Sequence, residues 1–136
     1  MKTRIVLAVL AAGALCAGQP ALAHHPFAAE YDVSKPVTLT GTLARMEWVN
    51  PHGWIYMDVK QPDGTTKRWT IETSGPSQMS RRGLKKTDFV DGMPLTVKGY
   101  QGKKDLVLAN GRTLVLADGR SFYVGSVGGP NDGADR

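Results

Sequence analysis

The residues best suited to chemistry are three histidines, His24, His25 and His52. What the first two can do depends on the chain ahead of them. Lys2 and Arg4 make a basic start, Ile5 to Leu15 an almost wholly apolar run, and Gly18 and Pro20 a break. Ala21-Leu22-Ala23 then has the A-x-A form of a signal-peptide cleavage site. Cleavage after Ala23 makes His24 the first residue and frees its α-amine. That amine and the Nδ1 atom of the same residue can chelate a metal, with a further imidazole from His25 or His52. A nitrogen-rich, tetragonal set favours Cu(II), with Ni(II) and Zn(II) behind it. The bland reading competes: paired histidines at a terminus form a polar tail, and His52 is a turn residue that tolerates an unusual backbone angle.

A second group is aromatic. Trp48 and Trp54 flank the turn Asn50-Pro51-His52-Gly53, and Tyr56 follows two residues on. On an OB-type barrel, exposed rings at this place can stack on bases or on sugar rings, and Lys60, Lys67 and Arg68 would help with an anionic ligand. Against this, tryptophan is mostly buried on average, so at least two of the three tryptophans are expected in the core or at its rim. A third group, Arg81, Arg82, Lys85 and Lys86, suits anionic headgroups, but no apolar insertion face accompanies it. A solvated helix surface is the simpler reading. Enzyme signals are absent: there is no G-x-S-x-G elbow, no glycine-rich phosphate loop and no carboxylate pair at set spacing.

Composition limits the frame that positions these groups. The chain has 136 residues, 41% hydrophobic and 21% charged, with a net charge of +5. That is one domain's worth of chain with too much apolar content for disorder. The only stretch apolar enough for a bilayer lies in the signal segment, so no transmembrane segment is expected after cleavage. Cleavage also removes the lone Cys16 and two of the 17 basic residues. The exported chain then has no disulfide and rests on its core or on a ligand. Its mild positive charge is ordinary solubility charge.

The expected elements follow from periodicity. Residues 24–36 read as an arm without a clear period. Val37, Leu39, Gly41 and Leu43 alternate with threonines as a half-buried strand, and the apolar parity changes by Met46 and Trp48. A bend or bulge between Gly41 and Arg45 accounts for that change. Ile55, Met57 and Val59 mark the inner face of a second strand, with Trp54, Tyr56 and Asp58 on the other. Pro62-Asp63-Gly64 turns into a third strand, where Trp69 and Ile71 point one way and Arg68, Thr70 and Glu72 the other. Ser74-Gly75-Pro76 opens a short helix that stops at Gly83. A fourth strand carries Leu95 and Val97. A fifth lies within Leu106 to Leu116, interrupted at Asn110-Gly111, and Asp118-Gly119 closes a last hairpin to Phe122-Tyr123-Val124. The sum is mainly β, a small OB-like barrel of five to six strands with one short helix between the third and fourth strands. The organisation expected is a signal peptide at 1–23, an arm at 24–36, a barrel at 37–127 and a disordered tail at 128–136.

Several of these segments carry a resemblance. His24-His25-Pro26-Phe27, Glu30-Tyr31-Asp32, Val37-x-Leu39-x-Gly41, Trp48-x-Asn50-Pro51-His52 and Leu116-Ala117-Asp118-Gly119-Arg120 resemble a family of small exported bacterial proteins of unknown function. The resemblance spans nearly the whole exported chain. It implies a periplasmic location and a barrel-like domain, and no activity. The expected function is therefore a non-enzymatic periplasmic or secreted binding or accessory module. Its ligand-binding surface comprises Trp48, Asn50, Pro51, His52, Trp54 and Tyr56, and its partner is a small molecule, a saccharide or an envelope protein. Nucleic acid is not expected. The alternative is a copper-binding protein, carrier or redox, with His24, His25 and His52 as ligands.

Overall fold

The computed structural model describes residues 27–126 and 128–130. The proposed signal segment and His24-His25 lie outside the described residues. A single helical turn, α1 (Phe27–Glu30), leads into β1 (Tyr31–Glu47), followed by β2 (His52–Lys60) and β3 (Thr66–Ser74). A short helix, α2 (Pro76–Arg81), and a 3-10 turn (Lys86–Asp88) precede β4 (Pro94–Gly102), β5 (Leu108–Leu116) and β6 (Ser121–Tyr123).

The long first strand serves two neighbours. Its first half pairs antiparallel with β4, from Pro36 opposite Tyr100 to Thr42 opposite Pro94. Its second half pairs with β2, from Thr42 opposite Asp58 to Glu47 opposite Trp54, and the register shifts between Leu43 and Arg45. That shift is the bulge which the change of apolar parity requires. At the handover a Cβ on Gly41 would stand 2.1 Å from the Asp58 carbonyl oxygen, so only glycine allows the strands this approach.

The sheet runs β3-β2-β1-β4-β5-β6, and a parallel pairing of β3 with β5 closes it into a ring. The two join from Thr70 opposite Leu108 to Glu72 opposite Asn110, and β6 then takes the same edge of β5 at Thr113 to Val115. The barrel and the helix between its third and fourth strands are as the sequence predicts. Inside lie Leu39, Leu43, Ile55, Met57, Ile71, Val97 and Leu114, with Met79 of α2 and Leu84 fully buried among them. Each strand contributes by alternation, and β2 is the plainest case: Ile55, Met57 and Val59 are buried, whereas Trp54, Tyr56 and Asp58 are half-exposed.

Three boundaries differ from expectation. The barrel begins at Tyr31 rather than Val37, because Tyr31 already pairs with Gly102 of β4. Pro36 does not prevent this, since the ladder is irregular between Tyr31 and Pro36. The fifth strand is continuous through Asn110-Gly111. Its irregularity is one extra residue: Lys98 faces Thr113 while Gly99 faces Gly111, which leaves Arg112 as the bulge. At the other end, the Pro130 carbonyl accepts a hydrogen bond from Arg112, so the chain as far as Pro130 belongs to the fold.

Candidate functional site

Alternation on β3 sends Ile71 into the barrel and Glu72 to its outer face, between Trp54 of β2 and Asn110 of β5. Glu72 is nevertheless only 5% exposed. Tyr31, with Phe27 packed on it, covers it. Tyr31 is buried, its ring lies 5.3 Å from that of Phe27, and Phe27 meets Tyr100 of β4 edge-on at 5.9 Å.

A buried carboxylate needs donors, and Glu72 has them on both oxygens. The Tyr31 hydroxyl donates to Oε2, and Nδ1 of His52 lies 2.7 Å from Oε1. Burial, then the hydrogen bond to Glu72, then the negative charges of Glu72 and Glu30 push the Tyr31 phenol far above its ordinary pKa. Tyr31 thus stays protonated and remains a donor. The carboxylate in turn orients the ring of His52, with its Nδ1 directed inward at Oε1. His52 is the first residue of β2, not a turn residue, and its side chain is 31% exposed. A half-open imidazole backed by a buried carboxylate can bind a ligand or a metal, or relay a proton.

The neighbouring residues extend this polar face. Asn110 donates from Nδ2 to Ser126 Oγ at 3.1 Å, while its Oδ1 is buried without a hydrogen-bond partner among the described residues. The Arg112 guanidinium, also buried, donates to the Ser126 carbonyl, the Tyr123 hydroxyl and the Pro130 carbonyl. Arg82 covers the Tyr123 ring at 4.5 Å and donates to the carbonyls of Tyr123 and Gly125. Of the basic group around α2, Arg82 is therefore committed to the fold, while Arg81, Lys85 and Lys86 are exposed.

The structure divides the six residues of the expected binding surface. His52, Trp54 and Tyr56 occupy successive outward positions on β2. Arg45 of β1 lies over the Tyr56 ring at 4.4 Å and pairs with Glu47 at 2.7 Å, and the Tyr56 hydroxyl donates to Glu47. Asn50 and Pro51 are exposed at the end of this face, joined by a cis peptide bond and resting on Gly75 at the start of α2. Trp48 is turned away, against Phe89 and the core. With Trp69 buried in the barrel, two of the three tryptophans belong to the core or its rim.

Sequence reasoning found His52 but not its partners. Glu72 was legible as an outward residue of β3, and Tyr31 lay within the Glu30-Tyr31-Asp32 segment. Nothing in spacing joins positions 41 residues apart. A carboxylate among outward residues of a strand that must close a barrel was the one available signal.

A model for a family of unknown function, DUF6152, matches residues 12–109. The chain belongs to the DUF6152 family. The matched span contains Tyr31, His52, Glu72 and the aromatic face of β2, so the central cluster lies in the portion that defines DUF6152. No curated protein matches the chain. Among the described residues no helix is long and apolar enough to cross a membrane.

Proposed function

We propose that this DUF6152 protein is an exported, periplasmic, non-enzymatic binding module whose ligand surface is the outer face of β2, and that its ligand is a saccharide of the cell envelope. The observation that supports this is the placement of Trp54 and Tyr56, half-exposed on the outward side of a strand whose inward side already fills the core. Rings in that position do no core packing, and their flat faces suit the apolar face of a sugar. Around them stand groups that hydrogen-bond hydroxyls: His52, the Arg45–Glu47 pair, and Asp58 bound to Arg68 through two contacts of 2.8 Å. A few fixed polar groups beside apolar surface is the usual composition of a small-ligand site. The barrel's second and third strands form the face that OB-type folds use for oligosaccharides.

Titration with a β-1,4-linked tetramer of N-acetylglucosamine, followed by tryptophan fluorescence, tests the reading. Saturable binding is expected, with Trp54→Ala weakening it at least tenfold while the unfolding midpoint stays put. Equal binding by Trp54→Ala and the parent, or no saturable binding, removes the face from consideration for this ligand class.

A further inference from the structure

We propose that a cleft on the outer face of β1, β4 and β5 binds a small organic carboxylate between Lys98 and the buried Arg112. The cleft shares no residue with the saccharide surface on β2, and the proposal does not depend on that reading.

A bulge brings the two cations together. Ala109 and Gly111 of β5 are buried against the core, and so are Leu114 and Leu116. Strict alternation cannot serve both pairs, and the extra residue, Arg112, takes up the difference. It thereby sits next to the pairing of Thr113 with Lys98 of β4, and Lys98 in turn faces Thr38 of β1. Arg112, Lys98 and Thr38 line a cleft of about 230 Å³ together with Pro36, Val37 and Tyr100.

Arg112 carries a charge that the fold leaves unneutralised. It is only 6% exposed, and its hydrogen-bond partners are neutral: the Ser126 carbonyl at 3.2 Å, the Tyr123 hydroxyl and the Pro130 carbonyl. Its Nε is buried with no hydrogen-bond partner among the described residues. A Cβ on Gly125 or Gly129 would collide with the guanidinium, so the chain closes tightly around it on that side. Buried charges are ordinarily paired with an opposite charge. Among the described residues neither Arg112 nor Lys98 forms an ion pair, and no acidic side chain lines the cleft. Two like charges on one cleft, one of them unable to turn to solvent, favour an anion there.

The other walls select which anion. Pro36, Val37 and Tyr100 offer apolar surface, and Phe27 holds the Tyr100 ring edge-on at 5.9 Å. Strand β4 is paired on both edges, so the donors available to a ligand are side chains, the Lys98 ammonium and the Thr38 hydroxyl. Two such groups suit the two oxygens of a carboxylate better than the four of phosphate, and the apolar walls suit a hydrocarbon body. Arg112 contributes its charge from the wall.

The test is a titration with benzoate, followed by the amide and arginine Nε–H signals in heteronuclear NMR spectra. Benzyl alcohol, which keeps the ring without the charge, and inorganic phosphate are titrated in parallel. Saturable benzoate binding with Kd below about 1 mM is expected, within the range open to so small a ligand. The shifts should centre on Lys98, Gly99, Tyr100 and the Arg112 Nε–H. Lys98→Glu, at an exposed position, should weaken binding at least tenfold, with circular dichroism establishing that the variant is folded. Arg112 is read through its own signal rather than replaced, because it also holds Tyr123, Ser126 and Pro130. Absence of saturable binding would overturn the proposal, as would equal binding of benzyl alcohol, tighter binding of phosphate, or unchanged affinity in Lys98→Glu. An Arg112 signal that stays still at saturating benzoate would overturn it equally. Trp54→Ala should bind benzoate as the parent does, so failure here and failure of the saccharide reading are told apart.

Discussion

The Tyr31 hydroxyl donates a hydrogen bond to Oε2 of Glu72, joining the first residue of β1 to the outer face of β3. Tyr31→Phe removes that donor and leaves one oxygen of a buried carboxylate unsatisfied. The expected loss is about 1–3 kcal/mol of stability, read from urea unfolding. Glu72→Gln in the Tyr31→Phe background should cost less than the two changes made separately, since the penalty belongs to their contact.

The same contact has an alkaline signature. Burial and Glu72 raise the folded-state pKa of Tyr31, so the folded protein holds this proton more tightly than the unfolded chain does. That contribution is complete below the ordinary tyrosine pKa of about 10 and is lost as pH rises above it. The gap in unfolding midpoint between the parent and Tyr31→Phe should therefore be constant from pH 7 to 9 and narrow beyond about pH 10. A gap that stays constant to the alkaline end would place the phenol's ionisation elsewhere.

A second titrating contact acts at the acid end. Asp88 accepts from the Lys85 backbone N–H at 2.7 Å and from Arg120 at 2.9 Å, tying the 3-10 turn to the β5–β6 hairpin. The backbone hydrogen bond first, and Arg120 next, hold its carboxyl below the usual aspartate range. Its contribution is present above the ordinary value of about 4 and disappears as pH falls through the lower folded-state value. Asp88→Asn should be less stable than the parent at pH 7 and indistinguishable from it in strong acid, by thermal unfolding at both.

These contacts mark where the sequence is readable. Ile55, Met57 and Val59 against Trp54, Tyr56 and Asp58 revealed the two faces of β2, because a strand's alternation is a local property. The bulge between Leu43 and Arg45 was visible as a parity change, and the helix start as Gly75-Pro76. What stayed hidden depends on closure. Tyr31 meets Glu72, and Arg112 meets Tyr123 and Pro130, only once the ring has formed and both ends of the described chain lie across its outer face. Residues 31–36 read as an arm because Pro36 and a run of polar residues hide a strand whose ladder is itself irregular.

The two glycines Gly41 and Gly64 separate close approach from backbone angle. A Cβ at Gly41 collides with the Asp58 carbonyl carbon and oxygen, both main-chain atoms that cannot rotate away. At Gly64 the space is open, and only the positive φ of 84° opposes a side chain. Gly64→Ala should cost about 1–2 kcal/mol, the usual strain of an L-residue in that region. Gly41→Ala should cost more, because it must part β1 from β2. Equal losses in urea unfolding would mean that the strands separate there with little resistance.

Trp69 offers the sharpest separation of packing from hydrogen bonding. Its ring is only 8% exposed, facing the core from β3, yet its Nε1 is buried without a hydrogen-bond partner among the described residues. Trp69→Ala removes the ring and leaves a cavity, at an expected cost of about 3–5 kcal/mol. Trp69→Phe gives up some buried area but also removes the unsatisfied N–H, whose burial itself costs about 1–3 kcal/mol. The two terms oppose each other, so Trp69→Phe should unfold in urea close to the parent's midpoint while Trp69→Ala unfolds far below it. If Trp69→Phe falls as far as Trp69→Ala, contact area at the outer part of the indole outweighs the N–H, and Trp69 is a space-filling residue alone.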